Sequence, residues 1–199
     1  MQGRDYLVID VEATCDDHGA VPREEMEIIE IGAVYVDGRR FTITGEYQTF
    51  IRPVRHPTLT PFCTGLTSIT QAEVDAAPGF VQAITALRAF IDAHRGRGRP
   101  PLFSSWGGYD RNQFKQDAAF HRVELPFGGE HLNLKRAFTE ALKSRKNFGM
   151  AGALKRLDIP LDGTHHRGID DARNIAKILP YAIGARPMPP PPKGWHGKE

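Results

Sequence analysis

The amino-acid sequence predicts an α/β fold in which a mixed sheet is covered by helices. Two patterns carry this prediction: β-branched, alternating segments come first, and segments of helical periodicity interleaved with short strands follow. The chain has 199 residues, of which 40% are hydrophobic and 25% charged. This size and composition are typical of one compact domain, so we expect one core and one site.

Alternation and a turn signal predict the first three strands. The opening YLVIDVEAT is typical of a strand with one strongly apolar face, and its period of two places Asp10 and Glu12 on the same face. The β-branched run EIIEIGAVYV at 27–36 predicts the second strand. Asp37-Gly38 and the segment RRFTITGEYQTFI after it indicate a hairpin that leads into the third.

Helical spacing governs the rest of the chain. Phe80, Ile84, Leu87 and Ile91 predict a helix, which the run RGRGRPP at 95–101 ends. A short buried strand, LFSS, follows. Further helices are predicted at 109–121, 149–157 and 169–183, with a brief edge strand at 131–134 before another helix.

The C-terminal segment differs in composition from the rest. ARPMPPPPKGWHGKE holds five prolines and cannot pack as helix or sheet. We therefore divide the chain into a domain at 1–184 and a proline-rich tail at 185–199. We expect an extended, disordered tail, with docking through Trp195 as the alternative.

Charge, apolar runs and cysteines exclude several classes of function. The formal net charge of +2 is too small for a general polyanion-coating protein, so any contact with nucleic acid is local. No apolar run approaches the roughly 20 residues that span a bilayer. Cys15 and Cys63 have no CxxC partner, which argues against a zinc module or a disulfide scaffold and favours a cytoplasmic location. The phosphate loop GxxxxGK[ST] and the hydrolase elbow GxSxG are absent from the sequence.

Three acidic positions stand out as candidates for chemistry. Asp10 and Glu12 interrupt an apolar strand, where ionised carboxylates are unfavourable unless a cation pairs with them. The alternative is a strand end with two solvated acids. Asp110 lies at the start of a predicted helix, where it is either a ligand or a helix cap.

The segment HHRGIDDARNIAKIL places histidine and aspartate five residues apart twice, as His165 with Asp170 and as His166 with Asp171. Spacing alone does not choose between the two pairs. In helical phase, Asp171 falls on the apolar face of the helix, whereas Asp170 falls with the polar residues Asn174 and Lys177.

Helical phase therefore predicts that Asp171 points inward, where it needs a metal or an arginine. His166 lies in the glycine-flanked loop before this helix, and we expect it to be accessible as a general base. If His165 and Asp170 were the functional pair, this phase would be wrong by one residue.

These motifs resemble a known family. IDVEAT, WGGYD and HRGIDDA occur in the order of the three motifs of the DEDDh 3′-to-5′ exonucleases. IDVEATC, FCTGLTSITQ, SWGGYD and LNLKRAF resemble the Eri-type exoribonuclease branch in particular. The likeness runs from Tyr6 to about Ile183 and implies a ribonuclease H-like fold, a mixed five-stranded sheet flanked by helices.

The resemblance also implies a metal site. Asp10, Glu12, Asp110 and Asp171 match the four acidic ligands of two Mg²⁺ or Mn²⁺ ions, and His166 matches the general base. In a two-metal hydrolysis the ions bind the attacking water and the leaving 3′ oxygen. An all-oxygen ligand set suits Mg²⁺ or Mn²⁺ better than Zn²⁺.

By the same resemblance, the segment FCTGLTSITQ lies against the terminal nucleotide. Leu66 would wedge beside the last base with Thr67 near it, and the backbone at Ala13 and Thr14 would meet the 3′-OH. A core-lining loop is the alternative interpretation of this segment. The need for a free 3′ end explains an exonuclease rather than an endonuclease.

Aromatic and basic residues supply further candidate contacts. Phe62 and Trp106 are candidates for contact with a base or sugar, with core packing as the alternative for both. Phe148 is a third aromatic candidate. The basic candidates for phosphate contact are Lys135, Arg136, Lys143, Arg145 and Lys146, for which a solvated helix face is the alternative.

The sequence thus predicts a 3′-to-5′ exonuclease that binds 3′ ends of single-stranded RNA or DNA and releases nucleoside 5′-monophosphates. The sequence does not distinguish RNA from DNA as the substrate, because it does not show which residues would contact the 2′-OH. A binding module that captures 3′ ends without cleavage and a phosphodiesterase for very short oligonucleotides are the alternatives. Animal Eri-type proteins often carry a nucleic-acid-binding module before the nuclease, whereas here the first motif begins near residue 8. We therefore expect the 3′ end itself to supply most of the affinity.

Overall fold

The sheet is mixed and five-stranded in the computed structural model, which describes residues 3–95 and 99–195. The strands are β1 (Tyr6–Ala13), β2 (Ile28–Val36), β3 (Ile43–Phe50), β4 (Leu102–Ser105) and β5 (His131–Asn133). They lie in the order β3-β2-β1-β4-β5. The pairs β1/β2 and β2/β3 are antiparallel, whereas β1/β4 and β4/β5 are parallel. The predicted hairpin and the predicted mixed sheet are thus confirmed.

Helices cover both faces of this sheet. They are α1 (Pro61–Thr67), α2 (Gln71–Asp75), α3 (Phe80–His94), α4 (Tyr109–His121), α5 (Leu134–Ala141), α6 (Met150–Leu157) and α7 (Gly168–Ala182), with a short 3-10 helix at Arg23–Glu25. The five longer helices, α3 to α7, were predicted from periodicity. Of the run expected to end α3, residues 96–98 lie outside the described residues. Within the described part of the chain, none of these helices has the length and apolarity needed to cross a membrane.

The two short helices α1 and α2 were not predicted, although the sequence carries their caps. Thr60 accepts a hydrogen bond from the Cys63 backbone N–H (3.0 Å), and Pro61 occupies the first turn of α1. Thr70 and Glu73 form a reciprocal capping box on α2. Both helices are too short to show a hydrophobic period, so only their capping residues indicate them in the sequence.

β1 lies at the centre of the sheet and is buried on both faces, which corrects the prediction of one apolar face. Leu7 and Ile9 pack in the core beneath α3 and α4, whereas Tyr6 and Val8 pack beneath α5, α6 and α7. A strand paired on both edges and covered on both faces leaves little of its length in water. A carboxylate on β1 therefore lies in or beside the core.

Two glycines allow α7 to lie directly on the sheet. A Cβ on Gly32 of β2 would come within 2.0 Å of the Gly168 carbonyl carbon, and a Cβ on Gly168 would lie 3.0 Å from the Asp10 carbonyl oxygen. Any larger side chain at Gly32 would collide with backbone. This close approach brings the first turn of α7 beside the centre of β1.

Asn174 of α7 was predicted on the polar side of the helix and is instead fully buried. Its amide nitrogen donates to the Asp162 carbonyl (2.8 Å), and its amide oxygen accepts from the Asp162 N–H (3.1 Å). The loop before α7 folds over the helix and satisfies the amide, which helical phase alone does not reveal.

Residues 185–195 of the tail dock on the domain, which was the alternative to the expected disorder. Residues 196–199 lie outside the described residues. As expected, the segment 185–195 has no helix or strand. Arg156 of α6 donates to the Pro189 carbonyl (3.0 Å), and Met188 packs against the main core. The Trp195 ring stacks on Phe148 with centroids 6.1 Å apart.

Candidate active site

Four carboxylates and two histidines meet in one cleft of about 230 Å³ at the edge of the sheet. Asp10 and Glu12 come from β1, Asp110 from the first turn of α4 and Asp171 from the first turn of α7. The cleft is lined by Asp10, Val11, Glu12, Trp106, Tyr109, Asp110, Met150, His165, His166 and Asp171. The structure thus brings together all four acids that the sequence analysis selected.

The carboxylates lie within reach of a common ion. Oxygen atoms of Asp10, Glu12 and Asp171 all lie within 4.8 Å of one another. Asp110 lines the same cleft, and its Oδ1 accepts a hydrogen bond from the Val11 N–H (3.1 Å). That bond ties the start of α4 to the strand that carries the first two acids.

Burial and mutual repulsion disfavour the ionised forms of these acids. The pKa of Glu12 rises to about 9, first because of burial and then because of Asp171 and the other nearby carboxylates. Burial, reinforced by Asp110, raises the pKa of Asp10 well above its usual range. Burial also raises the pKa of Asp110 to about 6 and that of Asp171 above its ordinary value.

This donor set fits a divalent cation. Hard cations such as Mg²⁺ and Mn²⁺ prefer carboxylate oxygens, and a bound cation would stabilise the ionised forms that burial and repulsion oppose. The acids Asp10, Glu12 and Asp171 are therefore suited to metal ligation by both geometry and charge.

Asp171 holds both neighbouring histidines. The Nδ1 atom of His165 lies 2.9 Å from its Oδ2, and the backbone N–H of His166 donates to the same oxygen (3.0 Å). His166 has a φ of 64°, a left-handed conformation that turns the chain into α7, and its ring stacks on His165 at 4.0 Å. Burial, followed by the proximity of His165, lowers the pKa of His166 below its usual value.

Asp170 has a different environment, away from the cleft lining. Its Oδ2 accepts from the Thr164 N–H (2.9 Å), and its Oδ1 accepts from Arg173 (2.8 Å). It therefore ties the preceding loop to α7. The spacing allowed two pairs, His165 with Asp170 and His166 with Asp171. Both histidines line the cleft, but of the two aspartates only Asp171 does.

The two residues at the end of β1 that were expected to meet the 3′-OH are buried. Ala13 and Thr14 are 4% and 2% exposed, respectively. The Ala13 carbonyl lies 3.6 Å from the Cys63 thiol, and the Thr14 hydroxyl accepts from the Glu27 N–H (2.9 Å). These contacts hold β1 against the start of α1 and the segment before β2.

Helix α1 presents an apolar face to solvent. Phe62 and Leu66 are four residues apart and each is 38% exposed, so neither is a core residue. Thr67 is fully buried instead, where its hydroxyl donates to the Cys63 carbonyl (2.8 Å) and accepts from the Ile69 N–H (3.1 Å). Thr67 thus stabilises the end of α1 from inside.

Trp106 lines the cleft and packs against the core as well. Its indole N–H donates to the Phe148 carbonyl (3.1 Å), which fixes the segment before α6. Among the basic candidates, Arg136 pairs with Glu140 at 2.7 Å on an exposed face of α5. This arrangement agrees with the solvated-face alternative for that residue.

Sequence reasoning named His165 only as the alternative to His166, and it missed Tyr109 and Met150 as lining residues and Glu30 as a support of α7. Glu30 is fully buried on β2 and accepts hydrogen bonds from Gln48 (2.6 Å) and from the Gly168 N–H (3.1 Å). It anchors the N-terminus of α7, where a carboxylate is favourable. An acid inside a β-branched strand was the available signal, the same one that selected Asp10.

Comparison with known proteins decides the family. The RNase_T model, described as exonuclease, matches residues 7–179. The chain belongs to this exonuclease family. It is 34% identical over 180 residues to ERI1 exoribonuclease 3 of Mus musculus, an alignment that covers 87% of this chain and 52% of the relative. The chain thus spans about half the length of that curated relative.

Solved structures of related proteins have the same fold. The nuclease domain of 3′hExo, a DEDDh family member bound to rAMP, matches with a TM-score of 0.85 at 26% identity and covers 96% of this chain and 97% of that one. A 3′-exonuclease in 3′-end-specific recognition of a histone mRNA stem-loop matches with a TM-score of 0.85 and 26% identity, over 94% of this chain and 65% of that one. The predicted ribonuclease H-like architecture of a DEDDh exonuclease is confirmed.

Proposed function

We propose that this chain is a metal-dependent 3′-to-5′ exonuclease that hydrolyses single-stranded RNA and releases nucleoside 5′-monophosphates. The observation that carries the proposal is the convergence of four carboxylates from β1, α4 and α7 in one cleft beside two histidines. Membership of the exonuclease family and the names of its relatives support the same reaction.

Asp10, Glu12, Asp110 and Asp171 would hold two Mg²⁺ or Mn²⁺ ions. These ions, when bound, supply Lewis-acid stabilisation of charge at the scissile phosphate. The chain's own part is to fix the carboxylates before substrate arrives, through the Val11 contact to Asp110 and the two histidine contacts to Asp171. Preorganised ligands of this kind avoid reorganisation during the reaction.

His166 is the proposed general base. Its lowered pKa keeps the imidazole neutral near pH 7, so a ring nitrogen can take the proton from the attacking water. The Nδ1 atom of His165 is engaged by Asp171 at 2.9 Å, which suits His165 to orienting that ligand. This difference supports His166 over His165.

The substrate proposal is a free 3′ end of single-stranded RNA, with single-stranded DNA as the comparison substrate. The exposed apolar pair Phe62 and Leu66 on α1 suits contact with the terminal base. Ala13, Thr14 and Thr67 would shape this pocket from beneath, and Trp106 would line it on the opposite side.

We place the exonuclease domain at 1–184, the tail at 185–199 and the protein in the cytoplasm.

A single gel tests the proposal. The protein is incubated with 5′-labelled single-stranded RNA or DNA in Mg²⁺, Mn²⁺ or EDTA, beside Asp10→Asn and a 3′-phosphorylated substrate. We expect a ladder of shortening products that EDTA, Asp10→Asn and the 3′-phosphate suppress. Persistent full-length RNA with tight binding would identify a capture module instead. Faster cleavage of dinucleotides than of long strands would identify a short-oligonucleotide phosphodiesterase.

A further inference from the structure

A second cavity of about 450 Å³ lies between α6 and the tail. This volume falls within the roughly 300–1,000 Å³ that is usual for small-molecule sites. Its lining residues are Ala151, Leu154, Lys155, Asp158, Ile159, Pro160, Leu161, Pro192, Lys193, Gly194 and Trp195. The family match ends at residue 179, so the tail wall of this cavity lies beyond it.

The linings of the second cavity and the cleft come from neighbouring residues at two places in the chain. In the first turn of α6, Met150 lines the cleft and the next residue, Ala151, lines the second cavity. In the loop before α7, Leu161 lines the second cavity and His165, four residues further along, lines the cleft. The same two segments of the chain therefore contribute to both linings.

Phe148 contacts one aromatic residue of each cavity, Trp106 of the cleft through its backbone and Trp195 of the second cavity through its ring. Trp106 lines the cleft and donates its indole N–H to the Phe148 carbonyl (3.1 Å). The Phe148 ring stacks in turn on Trp195, with centroids 6.1 Å apart and an angle of 26° between planes. Aromatic rings along a groove bind successive bases of single-stranded nucleic acid by stacking.

The charge around the second cavity complements a phosphate backbone. Lys193 lines it, and Asp158 is the one acid among its lining residues. Arg145 and Lys146 lie three and two residues before Phe148 in the sequence. This local positive charge contrasts with the near-neutral chain as a whole, which has a net charge of +2.

The tail is held in place before any substrate binds. Arg156 donates to the Pro189 carbonyl (3.0 Å), and Met188 packs against the core. Prolines occupy 189–192, just before the segment that lines the cavity, and they stiffen the chain there. A stiff, anchored segment loses less conformational entropy when it binds a ligand.

We propose that the second cavity binds single-stranded RNA upstream of the terminal nucleotide, with a base stacked on Trp195. Lys193 would contact the adjoining phosphate. The inference rests on the proposed function, because it assigns the path of the same substrate.

Substrate length provides the kinetic test. Wild type, Trp195→Leu and Trp195→Phe are compared on a series of RNAs from the dinucleotide to longer oligomers. We expect Trp195→Leu to raise KM about tenfold for the longer substrates only, the order expected for loss of one base stack. Trp195→Phe retains a stacking ring and should keep KM near that of wild type.

Leucine keeps apolar bulk against Phe148, so the comparison separates stacking from packing. Equal KM for wild type and Trp195→Leu at every length, or an equal rise in KM at every length including the dinucleotide, would overturn the proposal. Thermal unfolding of each variant reports whether the tail still docks.

Fluorescence tests the site without turnover. The chain has two tryptophans, so the signal of Trp195 is the difference between Asp10→Asn and Asp10→Asn combined with Trp195→Phe. We expect a longer RNA, and not the dinucleotide, to quench that difference signal. Absence of quenching by the longer RNA would overturn the subsite. If wild type shortens no RNA, the proposed function fails, while quenching of Trp195 still decides the subsite.

Discussion

Two groups of buried or half-buried acids in this molecule have opposite surroundings. In the active-site cleft, Asp10 and Glu12 face other carboxylates. Between β2 and α4, Glu27 and Asp117 face Arg55, whose guanidinium lies 3.3 Å from Asp117 and 3.8 Å from Glu27. The first group is suited to bind a cation from solution, whereas in the second group the Arg55 guanidinium supplies the positive charge.

Hydrogen bonding reinforces this contrast. Glu27 accepts from the backbone N–H groups of Val54, Arg55 and His56, and Asp117 accepts from that of Ile28 (2.7 Å). Burial still raises the pKa of Asp117 to about 6, but the Ile28 N–H and Arg55 oppose the rise. A buried acid therefore indicates ligand chemistry only where the fold supplies no internal cation.

The largest expected effect separates the two groups by activity. Asp10→Asn should lower kcat for RNA about a thousandfold or more, because it removes one of the proposed metal ligands. In EDTA the same variant should unfold at an equal or higher denaturant concentration than wild type, because it removes a repelled charge. Loss of stability together with loss of activity would contradict the contrast, and denaturant titration beside the gel assay measures both.

The next effect concerns the two histidines beside Asp171. His166→Ala should lower kcat about 10²- to 10⁴-fold, the usual range for loss of a general base, with little change in the affinity for Mn²⁺. The matched control, His165→Ala, should have the smaller effect on kcat and the larger effect on metal affinity, since its Nδ1 orients a ligand. The opposite ranking would assign the base to His165.

The internal ion pair is tested through stability. Arg55→Met should lower the free energy of unfolding by about 3 kcal/mol, because it leaves two buried carboxylates without their cation. The matched control is Arg173→Met, whose partly exposed pairs with Glu46 and Asp170 contribute about 1 kcal/mol or less each. Similar losses in both variants, measured by urea titration, would show that the second acid group is not stabilised internally.

A further effect is a pH dependence of stability without metal. The pKa of Glu12 is raised in the folded state to about 9, so the folded protein binds the extra proton. Stability in EDTA should therefore be highest near or below pH 4.5 for this group and fall as pH rises toward 9. Glu12→Gln should flatten that slope between pH 5 and about 9, and an unchanged slope would contradict the assignment.

Much of the site could be predicted from the sequence because acidic residues occupy positions where the local pattern favours apolar residues. Asp10 and Glu12 are acids in an apolar strand, and Asp171 is an acid on the apolar face of a helix. Such conflicts survive folding only where a partner resolves them. Glu30 gave the same signal, yet the sequence did not reveal that its partner is the N-terminus of α7.

Other features depended on contacts between distant segments. The burial of Asn174 follows from a loop that folds back over α7, and the docking of the tail follows from contacts to α6 and Phe148. Local composition predicts neither, because it reports backbone preference and not the surface that a segment meets.

The sequence by itself determined the α/β class, the order of the strands and longer helices and the identity of the four cleft acids, since period and misplaced charges are local properties. Only the tertiary structure decided that Glu30 supports the N-terminus of α7, that Arg55 neutralises the second acid group and that Trp195 stacks on Phe148. These facts depend on packing between segments far apart in the sequence, as does the backbone contact between Gly32 and Gly168 that seats α7 on the sheet.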